Sequence, residues 1–247
     1  MRKKRHIASP KPWKSDEKRL KDFVTVVILS ENHGYRMKSY GSIPLIKIKD
    51  KTLIQRQIET IQATLLNYEI IVCAGFESKK ITEYVKKNLN HENIRVIENQ
   101  VHFNSNCCES ARLCVGNTMN NRILFVSGNL LLTPEFLSTV DYSKSSIVVQ
   151  DKNPTMNFEV SGISEKQKLT SLCLGEKNNF WTESVFLKGG ETIEKFYDII
   201  SNPDFKNKFL FEAINELNKT KEISVMKNSG IPLLKINNLK SLKEIEK

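Results

Sequence analysis

No stretch of the 247 residues approaches the ~18 consecutive apolar residues that a membrane-crossing helix requires. The basic start MRKKRHIASPKPWKS is followed by no apolar run in the position of a signal peptide, so a cytoplasmic protein is expected. The five cysteines, Cys73, Cys107, Cys108, Cys114 and Cys173, are odd in number and match no zinc-ligand spacing. Reduced thiols are expected, and nothing beside Cys107-Cys108 supports redox chemistry. The chain also lacks internal repeats and any inner linker that would split it into two domains. What is present is 39% hydrophobic and 27% charged residues, the balance of a globular chain long enough for one large core.

The net charge of +10 is unevenly placed. Residues 1–22 carry nine Lys/Arg against three Asp/Glu, which leaves only +4 for the rest. Pro10 and Pro12 favour an extended backbone there, so residues 1–22 read as a basic arm and residues 23–247 as the folded domain. Arg2, Lys3, Lys4, Arg5 and Trp13 are candidates for holding a protein partner, with Trp13 as an apolar anchor. Trp13 packed back on its own domain is the equal alternative. Nucleic-acid binding by Arg2–Arg5 is weaker, because no aromatics are interleaved.

From residue 23 the pattern is α/β. FVTVVILS (23–30), EIIVCAG (69–75), IRVIEN (94–99) and RILFVSGN (122–129) read as strands. The first is β-branched throughout, as in a strand buried on both faces. Ile54, Ile58, Ile61 and Leu65 share one helical face, behind a capping box of Thr52 and Gln55. Ser78 is a cap candidate for a helix with Ile81 and Val85 inward. SARLCVGN fits a helix, and Thr133-Pro134 an N-cap and N1 pair. SSIVVQ, NFEVSGI, TESVFL and residues 223–226 suggest further strands. ETIEKFYDIIS and FLFEAINELNK are amphipathic helices, and a short helix closes the chain. Alternation at this spacing predicts a three-layer Rossmann-like domain, a mainly parallel mixed sheet with helices on both faces.

The segment LSENHGYRMKSYGSIPLIKIKDKTLI after the first strand resembles the signature of the sugar-phosphate and choline-phosphate nucleotidyltransferases, relatives of the GT-A glycosyltransferases. Gly34, Tyr35, Arg36 and Met37 match its glycine loop, and Lys51, Thr52, Leu53 and Ile54 match its helix start. EIIVCAGFESKKITEYVKK, ENQVHFNSNCCESARLCVG, RILFVSGNLLL and LLKINNLKSLKEIEK are similar to later family segments. Together they span about residues 23–247 in register.

The resemblance implies attack of a phosphate oxygen on the α-phosphate of a nucleoside triphosphate. Backbone N–H groups, Arg and Lys would cradle the phosphates, and two carboxylates would hold Mg²⁺. Three of these posts carry other chemistry here. The lysine of the Pro-Lys-x-Leu segment falls on Ile43, the aspartate of the strand-end Gly-Asp on Asn129, and that of the terminal Ile-Asp on Asn237. A neutral amide is a poor ligand for a hard cation that keeps few protein ligands. Glu31, Asn32, His33 and Tyr35 also make the first loop bulky, and Glu31 repels phosphate. The alternative is a slipped register, in which Lys38, Lys47 or Lys49 replaces the lysine and Asp141 or Asp151 supplies a carboxylate.

Gly34, Arg36, Asn106 and Ser110 are candidates for residual nucleotide or anion binding. Arg36 is equally a structural ion pair, and Asn99, Asn106 and Ser110 are equally helix-capping groups. His33, His91 and His102 lie in loops without triad geometry, and Glu109 reads as part of a solvated face, with a pair to a cation as the alternative.

The expectation is therefore a catalytically inactive nucleotidyltransferase-like protein, with no metal and no cofactor, tethered by its arm within a larger assembly. A Lys-, Asn- and Ile-rich composition suits an AT-rich genome such as a phage's, which extends the expectation to a virion or assembly component. Two alternatives stand beside it: an active Mg²⁺-dependent enzyme joining a nucleotide to a sugar-1-phosphate or phosphocholine-like phosphate, and a nucleotide sensor that binds without turnover.

Overall fold

A computed structural model describes residues 23–31, 41–89, 92–154 and 156–245. The arm, with Arg2, Lys3, Lys4, Arg5 and Trp13, lies outside the described residues, as do Gly34, Arg36, Lys38, His33 and His91.

The strands in chain order are β1 (Val24–Ser30), β2 (Lys47–Ile48), β3 (Lys51–Thr52), β4 (Tyr68–Ala74), β5 (Ile94–Glu98), β6 (Arg122–Ser127), β7 (Leu130–Leu131), β8 (Ser146–Gln150), β9 (Val160–Glu165), β10 (Lys168–Leu174), β11 (Phe180–Lys188), β12 (Ser224–Lys227) and β13 (Leu234–Lys235). The helices are α1 (Leu53–Thr64), α2 (Ser78–Asn88), α3 (Cys107–Val115), α4 (Pro134–Thr139), α5 (Gly190–Ser201), α6 (Leu210–Asn218) and α7 (Leu239–Ile245). Nine strands form one sheet in the order β5-β4-β1-β6-β11-β8-β12-β10-β9. β5, β4, β1 and β6 pair in parallel, whereas β11 joins β6 and β8 antiparallel.

Alternation along β1 explains the layers. Val27 and Leu29 face a core shared with α3, α5 and α6, while Val24, Val26 and Ile28 face one shared with α1, α2 and α4. Both faces are therefore covered by helices, as a β-branched, wholly buried strand requires.

Local chemistry accounts for most element ends. Thr133 accepts from the Phe136 N–H at 3.2 Å with Pro134 following, as expected for α4. Two expected caps differ. Thr52 accepts from the Gln55 N–H at 3.2 Å, but the Gln55 side chain donates to Glu59 and accepts from Tyr84 Oη, so no reciprocal box closes. Ser78 is the first residue of α2 rather than its cap. Its hydroxyl donates to Glu98 at 2.6 Å, and the turn before it is made by Glu77 at φ 55°.

Strand order reverses around β1: β4 and β5 extend the sheet to one side, β6 to the other. That reversal opens a crevice beyond the carboxyl ends of β1 and β6, the place where open α/β sheets take ligands. Backbones meet closely there. A Cβ on Gly128 would stand 2.2 Å from Ser30 Oγ and 2.8 Å from the Leu29 carbonyl, and one on Gly75 would stand 2.6 Å from the Glu31 carbonyl. Only glycine fits at either position.

Candidate functional site

The crevice is a cleft of ≈ 450 Å³. Ile43, Asn129 and Asn237, far apart in sequence, all line it. Asn129 follows the Gly128 turn at the end of β6. Asn237 arrives because β13 pairs with β7, with the Ile236 N–H donating to the Asn129 carbonyl at 2.8 Å. Their side chains then meet: Asn129 Nδ2 donates to Asn237 Oδ1 at 2.5 Å, and Ser127 Oγ donates to Asn129 Oδ1 at 2.6 Å. Gln57, buried on α1, braces this turn by donating to the Ser127 and Leu130 carbonyls. Asn238 accepts from the Ser241 N–H at 2.9 Å and so caps the last helix.

Ile43 opens a 3₁₀ turn at Ile43–Leu45 and is 4% exposed, packed with Ile46, Ile48, Leu53, Ile236 and Leu242. The wall where the resemblance places a lysine is thus an apolar cluster. The substitutes weighed from the sequence stand elsewhere. Lys47 and Lys49 belong to the exposed β2–β3 hairpin. Asp141 accepts from Ser143 in a surface turn, and Asp151 pairs with Lys227 at 2.7 Å.

Carboxylates do line the cleft, from positions not anticipated for that role. Glu31 follows β1, and Glu159 stands at the rim ahead of β9. Glu183 lies in β11, where the register with β8 shifts between Trp181 and Val185, and its φ is +53°. Such a bulge re-aims a side chain at some backbone cost. Glu183 is ion-paired to Lys235 of β13, itself only 8% exposed, with its ammonium 5.9 Å from the centre of the Phe158 ring. Glu31 is 2% exposed, and among the described residues neither carboxylate oxygen accepts from another residue. Burial, reinforced by the charge on Glu183, pushes its acid up to about 7, against the pull of its own backbone N–H.

The other candidates divide. Asn106 lines the cleft while its Oδ1 caps α3 through the Cys107 N–H at 2.8 Å. Ser110 does not reach it: fully buried, it accepts from Asn99 Nδ2 at 3.0 Å, and that internal pair uses both groups. Glu109 is buried rather than solvated, because Arg112 engages both its oxygens at 2.7 Å. All five cysteines are free thiols. Cys107 lines the cleft, but burial, with Glu31 nearby, raises its thiol well above the ordinary range, so it is not poised as a nucleophile.

No family model matches the sequence, and no curated protein does. Solved structures do match in shape. The CTP:phosphocholine cytidylyltransferase of Streptococcus pneumoniae superposes with a TM-score of 0.72 at 16% identity, over 90% of this chain and 97% of that one. The inositol-1-phosphate CTP transferase of T. maritima gives 0.74 at 12% identity, over 91% and 97%. A UDP-glucose pyrophosphorylase gives 0.70 at 10%, again over 91% and 97%.

The chain has the nucleotidyltransferase fold.

Within that fold, the positions assigned by resemblance to metal-binding aspartates do converge, as amides bonded to each other. As neutral amides, Asn129 and Asn237 are a poor ligand pair for Mg²⁺. Two half-buried amides satisfy one another, and among the described residues no three His, Cys, Asp or Glu side chains are grouped to hold a metal.

Proposed function

We propose that this nucleotidyltransferase-fold protein transfers no nucleotide and keeps its cleft as a binding module. The observation that supports the reading is the Asn129–Asn237 hydrogen bond. Two ionised carboxylates cannot keep such close contact unless a proton or cation lies between them. An amide pair makes the same approach unaided, because one member donates and the other accepts. Magnesium would have to break that bond and replace it with two neutral, weaker ligands. The apolar packing of Ile43 removes a phosphate-neutralising charge from the same cleft. The basic arm remains, on this reading, a tether to a larger assembly, and deletion of residues 1–20 should abolish partner binding while leaving the domain folded.

The decisive assay is incubation with each of the four ribonucleoside triphosphates, Mg²⁺ and a panel of sugar-1-phosphates and phosphocholine, with pyrophosphate as readout. No release above the uncatalysed background is expected. Release at an ordinary enzyme rate, on the order of 1–10³ s⁻¹, overturns the proposal.

A second reading is favoured by Glu31 and Glu183. Two carboxylates in the cleft are the groups that an active Mg²⁺-dependent transferase with relocated ligands would need. On that reading Glu31→Gln or Glu183→Gln abolishes pyrophosphate release that the unaltered protein supports.

A further inference from the structure

Among the described residues, Glu31 is a buried acid to which no other residue donates, whereas the other buried charges are matched. Glu109 has Arg112, and Lys235 has Glu183. A carboxyl group whose two oxygens accept from no other residue is costly, and a native structure keeps such a group where something else completes it. The surroundings describe what that is. Beside Glu31 stand Glu183 and the rim Glu159, against Lys235 as the one cation among the described lining residues, so this lining is acidic in a protein of net charge +10. Its wall is apolar: Trp181 is buried at one side, Phe209 and Phe211 stack at 6.0 Å between ring centres, and Leu174 stands exposed at the mouth. Polyphosphate meets repulsion in this place. A cation on an apolar body meets attraction and a surface to cover.

We propose that the cleft binds a small molecule carrying a primary ammonium or guanidinium group on an apolar or aromatic body, with Glu31 as the anionic acceptor and Trp181 and Phe209 against the body. N–H groups are part of the requirement, because among the described residues no other group donates to the Glu31 oxygens. Glu31 lines the cleft with both carboxylate oxygens buried, so binding requires the carboxylate to turn toward the ligand. The arriving cation then stabilises the ionised acid. Among the described residues, the titratable groups that interact with Glu31 are Glu183, Cys107, Cys108 and Cys114, and Lys235 and Glu159 line the same cleft. The identification deepens the binding-module reading and rests on it for the cleft's role. Its test does not use nucleotide, so either can fail without the other.

The test is calorimetry on the full chain at pH 7 with benzylamine, benzyl alcohol and benzyltrimethylammonium, run in two buffers of different ionisation enthalpy. Benzylamine should bind and release a fraction of a proton, and it should perturb the fluorescence of Trp181. The alcohol, uncharged, and the quaternary cation, without N–H, should each bind at least about tenfold more weakly. Glu31→Gln should weaken benzylamine by at least about tenfold and abolish proton release, with its fold checked by thermal melting. Equal binding of the three probes overturns the proposal. So does no binding of benzylamine at millimolar concentration, or binding unchanged in a folded Glu31→Gln variant. The probe comparison needs no variant, so the proposal stays testable even if Glu31→Gln does not fold.

Discussion

Restoring the two aspartates is the most informative perturbation, because the structure predicts a cost that appears only when both are changed. In Asn129→Asp alone, Asn237 turns its Nδ2 toward the new carboxylate, Ser127 Oγ still donates to it, and the contact becomes a charge-assisted hydrogen bond. Asn237→Asp alone is the mirror case, with the Asn129 amide already donating. Each single change should therefore alter stability by less than about 1 kcal/mol. In the double variant both sides accept and neither donates. Even if the side chains rotate until the charges are ~4 Å apart, their repulsion at an effective dielectric of about 20 is ~4 kcal/mol. Both positions are half-buried, so solvent and side-chain movement relieve part of this. A coupling of about 2–3 kcal/mol remains, within the range of groups in contact. For a domain of this size that is a fall in Tm of roughly 4–12 °C beyond the sum of the singles. Mg²⁺ should recover part of it, about 1.4 kcal/mol at ten times its Kd, and should leave the melting of the unaltered protein unchanged. Differential scanning calorimetry of the four proteins, with EDTA and with Mg²⁺, reads all of these terms. An additive double variant, or one indifferent to Mg²⁺, would show that the two side chains do not share one site.

Three further outcomes follow from single residues. Glu31 has its acid raised by burial to about 7, so the folded state holds a proton that the unfolded state loses from about 4.5 upward. The contribution of Glu31 to stability should be fullest below pH ~4.5 and fall by about 3 kcal/mol as pH rises through 7, and Glu31→Gln should remove that component from denaturant titrations at several pH values. Gly128→Ala places a methyl group 2.2 Å from Ser30 Oγ and 2.8 Å from the Leu29 carbonyl, and should cost roughly 1–3 kcal/mol by urea unfolding. Thr52→Ala removes the acceptor of the Gln55 N–H and should cost about 1 kcal/mol in the same measurement.

Continuous apolar runs made β1, β4 and β6 legible from sequence, because a strand covered on both faces has no polar side to disguise it. Thr133-Pro134 was legible because its capping chemistry is local. β10 was not: Lys168–Leu174 has a register shift between Leu169 and Ser171 and alternates unevenly between buried and exposed. Ser78 misled because Glu77 takes the left-handed turn that ends the preceding segment, a conformation sequence does not announce for glutamate. In the cleft, Ile43, Asn129 and Asn237 were found through resemblance and do converge. The acids were not found. Residues 31, 159 and 183 are brought together only by strand order and by a bulge. Glu31 was visible as a charge in the first loop, but its burial could not be read from neighbours in the chain. The one signal available was position: a carboxylate directly after the first strand, at the point where strand order reverses.

Paramagnetic resonance of Mn²⁺ titrated into the protein, alone and with CTP, asks most directly whether the amide pair seats a divalent ion. The structure predicts that Mn²⁺ stays free, or bound to nucleotide in solution, in the unaltered protein and becomes protein-bound in the Asn129→Asp/Asn237→Asp variant. One tightly bound Mn²⁺ per unaltered chain, lost on substitution of Asn129, would contradict it.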